Sequence, residues 1–389
     1  MAIHSTVFAQ ITSRLYPTEF SRCAARYPLR RRPRGLSASD HFLALCFAQL
    51  TYRESLRDVV ACLGARPSLH YHLGFRGHLS RTNLAYANTH RDWRLFAAIA
   101  QVLMRRAARL YHGPEKAREL SEISYALDAS IVGLSLKLFP WAAWKRSQRS
   151  AVKLHTLLSL RGNIPAWAAV TEAGFPEQKM LAEIPVESGA FYVMDRGYLD
   201  FTRLVRLHAC GAFFVVRSKC HVRWAVVSAR PVDKTLGLRC DQTVRLNSAW
   251  SRKVFAQPLR RVHARDEQSG QSVELLTNNF ELSAQAISEL YRRRWQVELF
   301  FKWIKQHLRL RQFLGRSPNA VHCQVWSAIC AYLLVAITRQ ELGIEKSLYQ
   351  MLQITSVSAL EQVPLPELFS TGAPAASWPS QSSFSFAET

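Results

Sequence analysis

The sequence predicts an α/β fold: a mixed sheet, preceded by a helical and basic N-terminal region and interrupted by a β-rich insertion. Three observations carry that expectation. From about residue 122 the apolar runs follow the order three strands, helix, strand, helix, strand. Within that order residues 190–194 (AFYVM) are continuously apolar, as in a strand covered on both faces. Residues 219–280 then break the alternation with short Val-, Thr- and Arg-rich runs before a long amphipathic helix begins after Ser283.

Composition sets the outer limits. The 389 residues suffice for two or three domains, and 48% hydrophobic with 20% charged residues excludes a disordered chain. Lys and Arg number 51 against 28 Asp and Glu, a net charge of +23. A surplus of this size favours a polyanionic partner, because neutralising phosphates releases condensed counterions. The charge is uneven: residues 1–118 hold 19 Lys and Arg against 6 Asp and Glu. That asymmetry predicts a separate helical, nucleic-acid-binding region over 1–118. Residues 119–345 would form the α/β domain with its insertion at about 219–280, and residues 346–389 a C-terminal region whose Ser/Pro/Ala-rich tail is expected to be disordered from about 371.

In the N-terminal region, Ser37 caps an expected helix through Leu50, and a second helix runs from about Ser55 to a stop at Gly64. The pair has the spacing of a helix-turn-helix, and equally of any two short helices joined by a tight turn. Arg30, Arg31, Arg32 and Arg34 form either a solvated basic loop or an arm that tracks phosphates. A further helix over 92–111 carries Arg105, Arg106 and Arg109. The eight cysteines show no C-x-x-C pair and no zinc-ligand spacing, so they read as buried small hydrophobes in a reducing compartment. No signal peptide is expected at the N-terminus, and the uncharged stretch 317–338 reads as a buried core helix rather than a membrane span. A cytoplasmic, nucleoid-associated protein follows from these readings.

Strands are expected over 123–127, 151–160 and 164–171, followed by a helical 176–184, the strand 190–194, a helix over 200–209 and the strand 212–216. Asp128 and Asp195 each end an apolar strand, where a carboxylate is poorly placed for simple solvation. The helix after Ser283, extending to about Leu308, contains YRRRWQVELFFKWIK. With Tyr291 at 0° and 100° per residue, Arg294, Glu298 and Lys305 fall at about −60°, −20° and −40°. Leu290, Val297, Phe300, Phe301, Ile304 and Leu308 form the adjacent apolar stripe. An isolated Glu298 would simply be an exposed partner of Lys302. Three carboxylates brought together, however, cannot all stay ionised without a cation, and oxygen-only ligands select Mg²⁺ or Mn²⁺. Tyr291 to Lys305 spans about 21 Å of helix axis, too far for all these groups to surround one ion.

The residues Tyr291, Arg294, Glu298 and Lys305 resemble the Tyr-x2-Arg-x3-Glu-x6-Lys signature of DDE transposases of the insertion-sequence-four type. Asp195-Arg196-Gly197-Tyr198 resembles the second acidic motif of that family, and Leu127-Asp128-Ala129-Ser130 the first. The resemblance covers roughly residues 122–342 and implies a ribonuclease-H-like core with a β-rich insertion between the second Asp and the Glu. It implies cut-and-paste transposition, with Asp128, Asp195 and Glu298 as catalytic metal ligands for two Mg²⁺ or Mn²⁺ ions. It also implies DNA contacts at Tyr291, Arg294 and Lys305, beside those expected of Arg31 and Arg32. The partners so implied are the terminal inverted repeats, target DNA and a second copy of the chain in a synaptic complex. Relatives use an aromatic from the insertion to stabilise a flipped base; for Trp224 and Trp250 here core packing is expected. Gly197 reads as a turn glycine of positive φ, and Arg196 as a DNA contact or a carboxylate partner. Two other functions fit the same motifs: a nuclease of this fold that does not transpose, and an inactive DNA-binding derivative.

Overall fold

The computed structural model describes residues 5–28, 36–111, 123–144, 149–265, 272–307 and 312–370. Six helices come first: α1 (Val7–Thr12), α2 (Pro17–Arg26), α3 (Ala38–Leu50), α4 (Leu56–Gly64), α5 (Arg81–His90) and α6 (Arg94–Tyr111). Ser37 and Asp40 close a capping box at the start of α3, as their spacing predicts, and Ser55 and Asp58 close another on α4. The strands β1 (Ser124–Leu134), β2 (Ala143–Trp144), β3 (Arg149–Ser159), β4 (Ile164–Glu172) and β5 (Phe191–Met194) follow, then α7 (Phe201–Ala209) and β6 (Phe213–Arg217). The insertion comprises β7 (Trp224–Arg230), β8 (Leu238–Leu246), α8 (Ala249–Val254), β9 (Leu259–Arg265) and β10 (Ser272–Thr277). The chain ends in α9 (Ala284–Arg292), α10 (Trp295–His307), α11 (Pro318–Glu341), α12 (Leu348–Ser358) and α13 (Leu365–Phe369).

β4, β3 and β1 pair antiparallel, and β5 and β6 then add parallel to β1. The order β4-β3-β1-β5-β6 makes the mixed sheet that the sequence predicts. The insertion does not stand apart from it. β10 pairs antiparallel with β6, and β9, β8 and β7 continue outward, so one ten-stranded sheet runs through both. Arg260, fully buried on β9, clasps Asp241 of β8 through two bonds of 2.8 Å and also donates to Leu282 O at the entry to α9. A buried guanidinium is tolerated only with its donors satisfied. Here that requirement ties the insertion to the helix pair that follows it.

α11 is apolar all round and correspondingly buried, as expected of a helix running through a core. It packs against α3, α5 and α6, and the hydrophobic core that contains it also takes in side chains of α1, β1, β3 and α10. The expected boundary near residue 118 therefore separates two sequence textures, while the packing crosses it. α3 is buried on nearly every face, which leaves α4, with Arg57 exposed, as the open member of the expected helix-turn-helix pair. Arg106 points inward, bonded to Arg14 O and 2.8 Å from Glu19, so part of the N-terminal charge is structural.

Three expectations need correction. The long helix after Ser283 is two helices: i→i+3 bonds from Arg294 N to Tyr291 O and from Val297 N to Arg294 O tighten the backbone between α9 and α10. β1 does not end at Asp128, because β3 keeps pairing with it as far as Leu134. Cys210 and Cys220 are exposed, and Cys62 and Cys240 half-buried, so only Cys23, Cys46, Cys323 and Cys330 fit the buried reading.

Candidate active site

Parallel register brings the first two acids together. Leu127 on β1 pairs with Met194 on β5, so Asp128 and Asp195 are the next residues on strands about 4.8 Å apart. β5 stops there, and the chain turns away through a single 3₁₀ turn over Arg196–Tyr198. Asp128 thus sits where its parallel neighbour ends and the sheet edge opens.

The helix pair supplies the rest. Val297, Phe300, Phe301 and Ile304 are buried as the apolar stripe predicts, and they lay α10 against the core with Glu298 in its first turn. The two helices present different groups to the two strands. Tyr291, on α9, donates its hydroxyl to Asp195 Oδ1 at 3.2 Å. Arg294, in the turn between the helices, reaches two carboxylates: Nη1 lies 3.0 Å from Asp128 Oδ2 and Nη2 lies 2.7 Å from Glu298 Oε1. Glu298 is therefore paired with Arg294, and not with Lys302. Asp128 Oδ1 also accepts from the Ala129 N–H at 2.8 Å.

The electrostatics record this crowding. Burial pushes the Asp128 carboxyl up to about 6, against the pull of Arg294 and the Ala129 N–H, while Glu298 and Glu177 push it further up. Burial likewise lifts the Tyr291 phenol to about 12, with Asp195 adding to the rise and Arg294 opposing it. Burial works against the charge on Arg294, but Tyr291, Asp128 and Glu298 outweigh it and hold the guanidinium protonated.

As they stand, no three His, Cys, Asp or Glu side chains among the described residues are gathered closely enough to hold a metal ion. A cation nevertheless already sits between two of the acids, in the form of Arg294. The donor set is all oxygen and rich in carboxylate, which suits a hard divalent ion, so the residues fit such an ion once the guanidinium withdraws.

The remaining expected contacts lie away from the carboxylates or outside the described residues. Lys305 is half-buried two turns further along α10, about 10 Å from Glu298 along the axis. Arg31 and Arg32 fall outside the described residues. Arg196 is exposed and pairs with no carboxylate among the described residues. Gly197 has no left-handed backbone; a side chain there would instead meet Glu177, whose Oε2 lies 3.0 Å from the position of a Cβ. Trp250 is exposed on α8, contrary to the core role expected of it, because Ser251 and Phe255 take the inward positions. Trp224 packs partly buried against the core, with Arg261 over its ring. Sequence reasoning missed Glu177 and its partner Lys153. Its one signal was a lysine in the middle of the apolar strand AVKLHTLL.

The family profile described as "Transposase DDE domain" matches residues 119–334, spanning both aspartates, the insertion and Glu298. The chain belongs to the DDE transposase family. A second profile, described as a domain of unknown function (DUF4372), matches residues 3–76 of this transposase. A protein of Sinorhizobium fredii named as a transposase is 34% identical over 258 residues, which is 65% of this chain and 70% of that one. A protein of Geobacillus stearothermophilus named as the transposase of insertion element IS5377 is 29% identical over 244 residues, 62% of each chain. A Synechocystis protein named for insertion element IS4SA is 27% identical over 225 residues, 55% of this chain and 59% of that one. Among solved structures, a piggyBac transposase synaptic complex with hairpin DNA aligns with a TM-score of 0.44 at 10% identity, over 94% of this chain and 86% of that one.

Proposed function

We propose that this transposase cuts and joins DNA at the ends of its insertion sequence by metal-dependent phosphodiester hydrolysis and strand transfer. The observation that supports this most strongly is the approach of Asp128, Glu298 and Arg294 from two separate elements, with Asp195 and Tyr291 beside them. Asp128, Asp195 and Glu298 would hold Mg²⁺ or Mn²⁺, two ions in the working state. When bound, those ions supply the Lewis acidity that activates the attacking oxygen and stabilises the leaving one. Tyr291 fixes the rotamer of Asp195 through its hydroxyl. Arg294 bridges Asp128 and Glu298, and its guanidinium would be free to take a backbone phosphate where a cation held those carboxylates.

Lys305, about 10 Å beyond Glu298, takes a phosphate further along the same strand. Arg31 and Arg32 add sequence-independent affinity through phosphate contacts. Trp250, exposed and bordering a pocket with Phe201 and Lys219, is the aromatic of the insertion best placed to stack on an unpaired base. The partners are the terminal inverted repeats, target DNA and a second copy of the chain in the synapse.

The test is a cleavage assay with the repeats that flank the gene. Full-length protein and Mg²⁺ should nick the repeat ends and join the freed 3′ ends to a target plasmid, and chelation should stop both. Mg²⁺-dependent nicking of unrelated duplexes at the same rate, without joining, would make the chain a nuclease instead.

A further inference from the structure

Against the turn that follows Asp195 lies a further carboxylate, Glu177, that no motif assigns. Lys153 stands in the middle of β3 and is buried, with only 10% of its side chain exposed. Its ammonium donates to Phe175 O at 3.0 Å and to Glu177 Oε1 at 3.2 Å. That bond fixes one oxygen of Glu177, at the start of the 3₁₀ turn Glu177–Ala182. The other oxygen, Oε2, reaches Gly197, two residues beyond Asp195. The pair joins the strand next to Asp128 to the turn that follows Asp195. It opens onto a cleft of about 1250 Å³ that runs from Gly197 to Trp141 and Trp144.

An independent observation points to a ligand in the same place. Tyr198 is fully buried, yet its hydroxyl has no hydrogen-bond partner among the described residues. Burial raises its phenol well above the ordinary value, and Asp128, Glu177 and Asp195 all add to the rise. A buried hydroxyl left without a bond is costly. Something between these groups would satisfy it.

We propose that Glu177, clamped by Lys153, is a fourth carboxylate of the catalytic centre, facing the outer coordination sphere of the divalent cation, with Tyr198 facing the same space. Mg²⁺ gives up its waters reluctantly, and Mn²⁺ takes the same octahedral oxygen shell, so a site for them needs acceptors beyond the direct ligands. Glu177 supplies one, and Gly197 leaves room for it. This inference rests on the proposed metal-dependent function and extends it to a positioning residue.

The experiment is calorimetric titration of Mn²⁺ into the full-length protein, alone and bound to a terminal-repeat duplex, with melting temperatures recorded for every variant. Glu177→Gln should weaken Mn²⁺ binding about 10- to 100-fold, the usual range for an outer-shell partner. Lys153→Met should do the same, Tyr198→Phe somewhat less, and Asp128→Asn should abolish binding. A purely structural Lys153–Glu177 pair would lower the melting temperature and leave Mn²⁺ affinity unchanged. If Glu177→Gln and Tyr198→Phe both bind Mn²⁺ as the wild type does while Asp128→Asn does not, the inference is wrong and the metal centre stands. Should Glu177→Gln fail to fold, Tyr198→Phe, which leaves the ion pair intact, decides the matter. A wild-type protein that binds no Mn²⁺ in either state overturns the metal-dependent reading, and this inference with it.

Discussion

The guanidinium of Arg294 lies 3.0 Å from Asp128, a residue 166 positions earlier in the chain, and its other terminal nitrogen lies 2.7 Å from Glu298. One side chain therefore links the central strand to the helix that carries the third acid. It sits where the proposed function places a divalent ion, so protein and metal compete for the same two carboxylates.

That competition is measurable. Arg294→Met removes the resident cation and leaves Asp128 and Glu298 facing each other. The metal-free variant should be destabilised by about 2–3 kcal/mol at pH 8, less than the ~3–5 kcal/mol for breaking a fully buried pair, because Glu298 is partly exposed. Mn²⁺ should restore more melting temperature to this variant than it adds to the wild type. A variant that stays folded yet no longer binds Mn²⁺ would show that Arg294 supports the metal site instead of competing for it.

Asp128 gives the account a pH dependence. Its carboxyl is raised from 3.8 to about 6, so the folded state favours the protonated form. The stability linked to that proton is complete below about pH 4 and is lost as pH rises through 6. Asp128→Asn imitates the protonated group. Without metal it should therefore melt higher than the wild type at pH 8, by an amount on the order of 2 kcal/mol, with the two curves converging near pH 4. Mn²⁺ affinity of the wild type should fall as pH drops below 6, because the ion needs the carboxylate. A wild type more stable than Asp128→Asn at pH 8 in the presence of chelator would show that Arg294 over-compensates the burial.

The insertion has its own anchor in Arg260 and Asp241. Asp241→Ala strands a buried guanidinium and should cost about 3–5 kcal/mol, whereas replacing both partners with apolar residues should cost much less. Because Arg260 also holds Leu282 O, the single variant should loosen the start of α9. Faster amide exchange over residues 284–292 in Asp241→Ala checks this. Unchanged exchange there would mean that the insertion and the helix pair are held independently.

Much of this site was legible in the sequence. The strand order, Asp195 after AFYVM, the Ser283 cap and the apolar face of α10 all follow from local periodicity and capping. The angular reading put Tyr291, Arg294 and Glu298 on one arc, and they do converge. It treated the helix as continuous, however, and so gave Tyr291 and Arg294 no contact with the two aspartates. The tightened turn between α9 and α10 brings them onto Asp195 and Asp128, an outcome of tertiary packing that no helical wheel contains. Asp128 seemed to end its strand because the apolar run stops there. β1 continues because β3 supplies a partner, and only the two-sided burial ends. Lys153 and Glu177 lie 24 residues apart and meet only once β4 has folded back.

The most direct test of the central claim is Glu298→Gln, which keeps shape and removes one charge. In a reaction of full-length protein, Mg²⁺ and terminal-repeat DNA, the variant should fold and bind the ends but lose nicking and strand transfer together, since one metal centre serves both displacements. Combining it with Asp128→Asn or Asp195→Asn should add little, as expected of groups that act as a unit. A Glu298→Gln protein that nicks and joins at close to the wild-type rate would contradict the account, and would leave Glu298 as a surface partner of Arg294 contributing only a few tenths of a kcal/mol to helix stability.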